Sequence, residues 1–339
     1  MYAKYCLNKG ISVMSDFQNY DSYLYLSARA EALSASLVDS GQLSAISDSA
    51  DAGAFYSLLS EYGIKGTVNS YGETEYKSAI ISRKHKRLFE IVSELDEPTK
   101  FAYFLYQYDC HNLKSAIKCF ERGISPKDLF VPSGSVPCSE IEKHVKERDF
   151  SAFPENMANA AKEAFTAYEK TKSPRVIDIL LDCACFKDIK ENGGTVEYFS
   201  DLLKVRADGI NILTFLRTKN ETLEKKEEII RRCFVVGGTL SSEDFINALK
   251  DGNGFMELAK KLPSFTFSEV ISSRSEDFIP PLSECERLCR DALERTENKA
   301  VYITTGIEKI GYYITRIENE SRQLLNLLNR FKNARRRYV

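Results

Sequence analysis

Along most of this chain apolar residues recur at alternating three- and four-residue steps, the period of helices that bury one face. The pattern predicts a helix over 16–39 carrying Tyr23, Leu26, Ala30, Leu33 and Leu37, then a second with Phe55, Leu58 and Leu59 after a Ser-rich stretch. A long charged helix follows through Leu88, Ile91, Val92 and Leu95, and Glu97-Pro98 opens another, with Pro in a permitted first-turn position. Gly123 ends that helix, and Ile124 to Pro137 reads as the longest loop. Ser139/Glu142, Ser241/Asp244 and Ser283/Glu286 read as capping boxes, and Ser173-Pro174 as a further helix start. Ile307, Ile310, Ile314, Ile317, Leu324, Leu328 and Phe331 run through a final helix long enough to be the central strut of its domain. With hairpin signals nearly absent, the fold class is all-α.

Three of these helices share a finer pattern: an acid, an amide three residues on, and apolar residues at −6, −3, +4 and +8 from the acid. Asp109/Asn112 has Tyr103, Tyr106, Leu113 and Ile117 at those offsets. Asp208/Asn211 has Leu202, Val205, Ile212 and Leu216, and Glu320/Gln323 has Ile314, Ile317, Leu324 and Leu328. The acids stand 99 and 112 residues apart in a chain of 339, so the unit is about one third of the protein. That is larger than a solenoid repeat of about 20–45 residues and argues for triplicated helical domains, expected over 1–122, 123–220 and 221–339. At about 100° per residue the four apolar offsets form one seam, with the acid at its edge. A carboxylate there must be hydrogen-bonded, which makes these six polar residues candidate ties between each helix and a neighbouring backbone.

Composition narrows the function. Hydrophobic residues at 43% and charged residues at 28% describe a globular protein, and 47 Lys+Arg against 49 Asp+Glu leave no global charge to attract nucleic acid. No apolar run approaches the roughly 18 residues of a membrane span, and the first 21 residues show no secretory signal, so a cytoplasmic protein is expected. Nine scattered cysteines read as buried thiols of a reducing compartment, without a zinc half-site.

Catalytic strings are missing: no phosphate-binding G-x-x-x-x-G-K-[ST], no G-x-G-x-x-G, no H-E-x-x-H and no G-x-S-x-G. Asp251-Gly252-Asn253-Gly254 lacks the acids of a calcium loop and reads as a turn. Cys110 and His111 are adjacent on a helix and point about 100° apart, which does not make a nucleophile and base. No catalytic, cofactor or metal residue is assigned. The Lys/Glu run at 221–232 reads as a solvated helix face and Arg335-Arg336-Arg337 as a frayed end.

Three segments carry a family resemblance: Tyr23-Leu24-Tyr25-Leu26-Ser27-Ala28-Arg29-Ala30, the helix Tyr108-Asp109-x-x-Asn112-Leu113-Lys114, and the helix Tyr312-Tyr313-Ile314-x-x-Ile317-Glu318-x-Glu320-Ser321-Arg322-x-Leu324. They resemble the C-type subunit of archaeal and bacterial V/A-type ATPases, and its eukaryotic counterpart, the d-type subunit of the vacuolar ATPase. The resemblance implies an all-helical funnel of three similar domains about a pseudo-threefold axis, with no catalytic role. Its partners would be the proteolipid rotor ring and the central shaft subunits of D and F type. It would sit peripherally on the cytoplasmic face of the membrane and couple ATP turnover to proton or sodium transport. The chain departs from its own pattern in the third copy, where Gln323 replaces Asn and Leu325 stands where the first copy has Lys114. A helical adaptor unrelated to rotary motors predicts a free protein with no membrane partner, and an enzyme predicts a low-pKa thiol or bound metal.

Overall fold

The computed structural model describes residues 13–66, 75–193, 196–250, 254–262, 265 and 281–336, with side chains from Tyr23 to Phe331. Among them are fourteen α-helices and no strand. In order they are α1 (Val13–Ser34), α2 (Ser40–Ser47), α3 (Ala52–Glu61), α4 (Glu75–Val92), α5 (Ala102–Arg122), α6 (Cys138–Glu147) and α7 (Glu155–Thr171). Then come α8 (Pro174–Asn192), α9 (Glu197–Arg217), α10 (Leu223–Cys233), α11 (Ser242–Lys250), α12 (Gly254–Lys260), α13 (Leu282–Glu297) and α14 (Ile307–Arg336).

Local chemistry explains where several of them start or stop. Asp39 and Gln42 close a reciprocal capping box on α2, Asp51 accepts from the Ala54 amide at the head of α3, and Ser241 and Asp244 do the same for α11. Gly123 ends α5 in the left-handed conformation that lacks a steric penalty for glycine. Two expected capping boxes are absent. Pro137 and Pro281 are the N-caps of α6 and α13, one residue ahead of the first helical positions, so Ser139 and Ser283 already lie inside their helices. The Ser-rich stretch expected to lead into one helix holds two, α2 and α3, divided at Asp48–Asp51. The turn at Asp251 falls outside the described residues.

By packing, the chain forms two compact units, residues 1–96 with 301–339 and residues 97–300. In the first, α14 lies between α1 and α4, which both pack along it. Its core joins Ile46, Phe55, Leu59, Ile80, Leu324 and Leu328, with the Phe55 and Phe331 rings stacked 4.4 Å apart. In the second unit α5 packs on α8, α7 pairs with α8, and α9 packs on α13. Phe199 meets both Phe101 and Phe104, at ring separations of 5.5 and 5.3 Å, and so ties the start of α9 to the start of α5.

Candidate functional site

The three acid-bearing helices are α5, α9 and α14. Eleven of their twelve seam residues are buried, and Leu216 is partly so. What the acids do at the edge of those seams defines three helix–loop joints.

In the first joint Asp109 reaches into the loop ahead of α6. Its carboxylate accepts from the Ser135 amide (3.0 Å), the Ser135 hydroxyl (2.6 Å) and the Val136 amide (3.0 Å). One turn on, Asn112 grips the same loop in both directions, accepting from the Val131 amide (2.8 Å) and donating to the Val131 carbonyl (2.9 Å). The second joint repeats this ahead of α11. Asp208 accepts from the amides of Thr239 (2.9 Å) and Leu240 (3.3 Å), and Asn211 exchanges hydrogen bonds with both backbone groups of Val235 (3.0 and 2.8 Å). All four side chains are buried. Burial pushes the Asp109 and Asp208 carboxyls above the usual carboxylate range, and the donated hydrogen bonds pull the other way.

The two loops match residue for residue: Val131 with Val235, Gly134 with Gly238, Ser135 with Thr239 and Val136 with Leu240. The glycine is required by contact. A Cβ at Gly134 would overlap the Asp109 carboxylate oxygen, and one at Gly238 would overlap that of Asp208.

The third joint uses loop residues from the other end of the sequence. Glu320 accepts from the Val38 amide at 2.8 Å, and Val38 stands two residues before α2 as Val136 and Leu240 stand two before α6 and α11. Ser36 occupies the register of Gly134 and Gly238. Its Cβ forbids the same close approach, and the extra methylene of Glu over Asp spans the wider gap. The Leu37 amide is used within its own turn, donating to Ser34, so Glu320 has one loop amide where the aspartates have two.

Cations make up the difference. Arg87 donates to Glu320 at 2.6 Å and to the Ser36 carbonyl at 2.6 Å, while Arg83 donates to Glu320 (3.3 Å), the Ser36 carbonyl (2.9 Å) and the Tyr62 carbonyl (2.7 Å). Desolvation lowers the Arg83 pKa, against the pull of Glu320. Gln323 is half-buried and has no hydrogen-bond partner among the described residues, so the loop grip made by Asn112 and Asn211 passes to arginines of α4. At the head of α14, Ser27 accepts from the Gly306 amide (2.8 Å) and Lys309 pairs with Glu31 (2.5 Å), which fastens α1 there.

Asp188 is a further buried acid that the offset pattern does not mark. From α8 it accepts from the amides of Asn156 (3.0 Å) and Met157 (2.8 Å), capping α7, whose own N-cap is a proline without a side-chain bond.

Other chemistry is sparse. Cys110 and His111 point to different partners, the Leu181 carbonyl (3.4 Å) and the Leu129 carbonyl (3.1 Å). Burial pushes the Cys183 and Cys289 thiols up to about 12 and Cys285 to about 11, which keeps them protonated at neutral pH. No group of His, Cys, Asp and Glu able to hold a metal occurs among the described residues. A cleft of about 310 Å³ between α8 and α10 is lined by Arg175, Lys225, Glu228 and Arg232, without a histidine to act as base. No described helix is long and apolar enough to cross a membrane.

Compared with known proteins, residues 26–334 match the family model of the ATP synthase (C/AC39) subunit. No curated protein matches the chain.

Proposed function

The chain belongs to the ATP synthase (C/AC39) subunit family, and we propose that it serves as the non-catalytic central-stalk subunit of a V/A-type rotary ATPase. In this reading it sits on the cytoplasmic end of the proteolipid ring and receives the tip of the central shaft, formed by D- and F-type subunits. It thereby couples ATP turnover to the movement of protons or sodium ions. In this reading each of the three joints is the centre of one of three similar helical repeats.

The observation that carries this reading is the family match over nearly the whole chain. The joints support it on physical grounds. A part that transmits torque needs helices that do not slide against their neighbours, and each joint fixes a long helix to the entry of another by buried, charge-assisted hydrogen bonds. Docking on a ring that spans the membrane requires a broad complementary surface and no membrane helix of its own.

Membrane vesicles carrying the complex test the proposal. Stripping this subunit should leave ATP hydrolysis in the detached head and abolish ATP-driven ion uptake, and adding the purified chain back should restore uptake. Uptake at full rate in vesicles shown to lack the subunit would overturn the coupling role. Co-purification with no ring or shaft subunit would favour the adaptor.

A further inference from the structure

The third joint holds polar hydrogens that nothing accepts. Arg83 Nε and the Tyr313 hydroxyl are both buried without a hydrogen-bond partner. Tyr313 is fully buried, and it lies seven residues before Glu320 on α14, so the two share one face of that helix. The other two Arg83 nitrogens each donate, to Tyr62, Ser36 and Glu320, which leaves Nε as its one nitrogen without an acceptor. Buried donors of this kind are ordinarily met by a water or an ion.

Charge separates those two. Arg83 and Arg87, whose side chains are only 17% and 11% exposed, face the single carboxylate of Glu320. Around them the charges cancel in pairs. Arg316 and Glu90 both act on Tyr313 with opposite sign, Lys84 is opposed by Glu318, and Lys309 is bound to Glu31. His85, between the two arginines in sequence, is held neutral at pH 7 by burial and by Lys84, its pKa lowered to about 4. One positive charge is left over in a desolvated place, where an unbalanced charge is costly. A water would satisfy the donors but leave the charge, whereas a small anion does both.

We propose that the third joint binds one monovalent anion of about chloride size, which accepts hydrogen bonds from Arg83 Nε–H and the Tyr313 hydroxyl. The first two joints lack a cationic side chain at their acids and bind none. The inference is independent of the rotary role, since it concerns how the unit made from the two chain ends is held together.

Thermal melts of the full chain test it, in sodium chloride, sodium bromide or sodium gluconate at one ionic strength. The halides should raise Tm saturably, by roughly 3 °C or more, and gluconate should not. Tyr313→Phe removes only a hydroxyl that has no partner, so the fold should survive while the halide response shrinks, and Arg83→Lys should abolish it. Crystals grown in bromide should show an anomalous peak between the two residues. Equal melts in halide and gluconate would overturn the proposal, as would a halide response intact in Tyr313→Phe. So would density for water alone with no bromide peak.

Discussion

The joints within 97–300 and the joint between the two chain ends perform one task with different materials. Asp109 and Asp208 hold loops that follow them by about 27 and 32 residues and meet only neutral donors there. Glu320 holds a loop 282 residues earlier in the chain and meets two guanidinium groups. The difference follows from one loop position. With glycine, the loop backbone lies against a short carboxylate and an asparagine one turn away reaches it as well. With Ser36 the loop stands off, the acid lengthens to Glu, the amide loses its target, and arginines from a third helix fill the space.

The largest test of that contrast is removal of the acid. Glu320→Leu leaves Arg83 and Arg87 as partly buried charges without a counter-ion and should cost about 3 kcal/mol, the low end for breaking a buried pair. Asp208→Leu strands only the Thr239 and Leu240 amides and should cost about 1–3 kcal/mol. Denaturant melts read the totals. Hydrogen exchange of the Val38 and Leu240 amides shows which joint has opened. Equal losses would mean that the arginines add nothing to the third joint.

Next in size is the glycine. Gly238→Ala should cost about 2–3 kcal/mol, because the new Cβ drives Asp208 off both amides. The third joint suggests its own remedy. Adding Asp208→Glu to Gly238→Ala should recover part of the loss, since the longer acid can reach a loop that stands off. A double variant no better than Gly238→Ala alone would break the explanation of why Ser36 and Glu320 occur together.

The amides give a smaller contrast. Asn211→Ala removes a two-way grip on Val235 and should cost about 1–3 kcal/mol, while Gln323→Ala, at a side chain without a partner, should stay within about 0.5 kcal/mol. A loss at Gln323 to match that at Asn211 would show that the third copy retains the amide role after all.

Much of the helical scaffold was legible because period and punctuation act locally. The seams on α5, α9 and α14, the glycine stop at 123 and the Ser241/Asp244 cap need no knowledge of distant residues. The offset pattern located the acids and amides for the same reason. The loops they bind stayed hidden, since nothing within α14 points to Val38, and the paired glycines 134 and 238 stand out only once the loops are aligned on the acids. Arg83 and Arg87 belong to the run Arg83-Lys84-His85-Lys86-Arg87, and a charge run gives no sign of which members turn inward. The false caps at Ser139 and Ser283 show the same limit. The spacing S-x-x-E was present, but a proline two residues earlier had already capped each helix.

The smallest expected effect is a pH dependence that runs in opposite directions in the two units. His85, on α4 beside the third joint, has its pKa lowered by burial and by Lys84 to about 4 from 6.5. As pH falls from 6.5 toward 4 the unfolded chain binds this proton and the folded chain does not, so the unit made from the chain ends loses stability across that window. Because His85 is only half-buried, solvent screening holds the loss to about 1 kcal/mol. Asp109 and Asp208 act the other way. Burial raises their folded pKa values above the usual carboxylate range, so on acidification the folded chain takes up their protons first and 97–300 gains stability. Amide exchange measured at pH 7 and pH 5 should therefore quicken at Val38 relative to Val136 and Leu240, after correction for intrinsic rates. His85→Gln should remove the Val38 part of the change. A pH response at Val38 that survives this substitution would place the titrating group elsewhere in the joint.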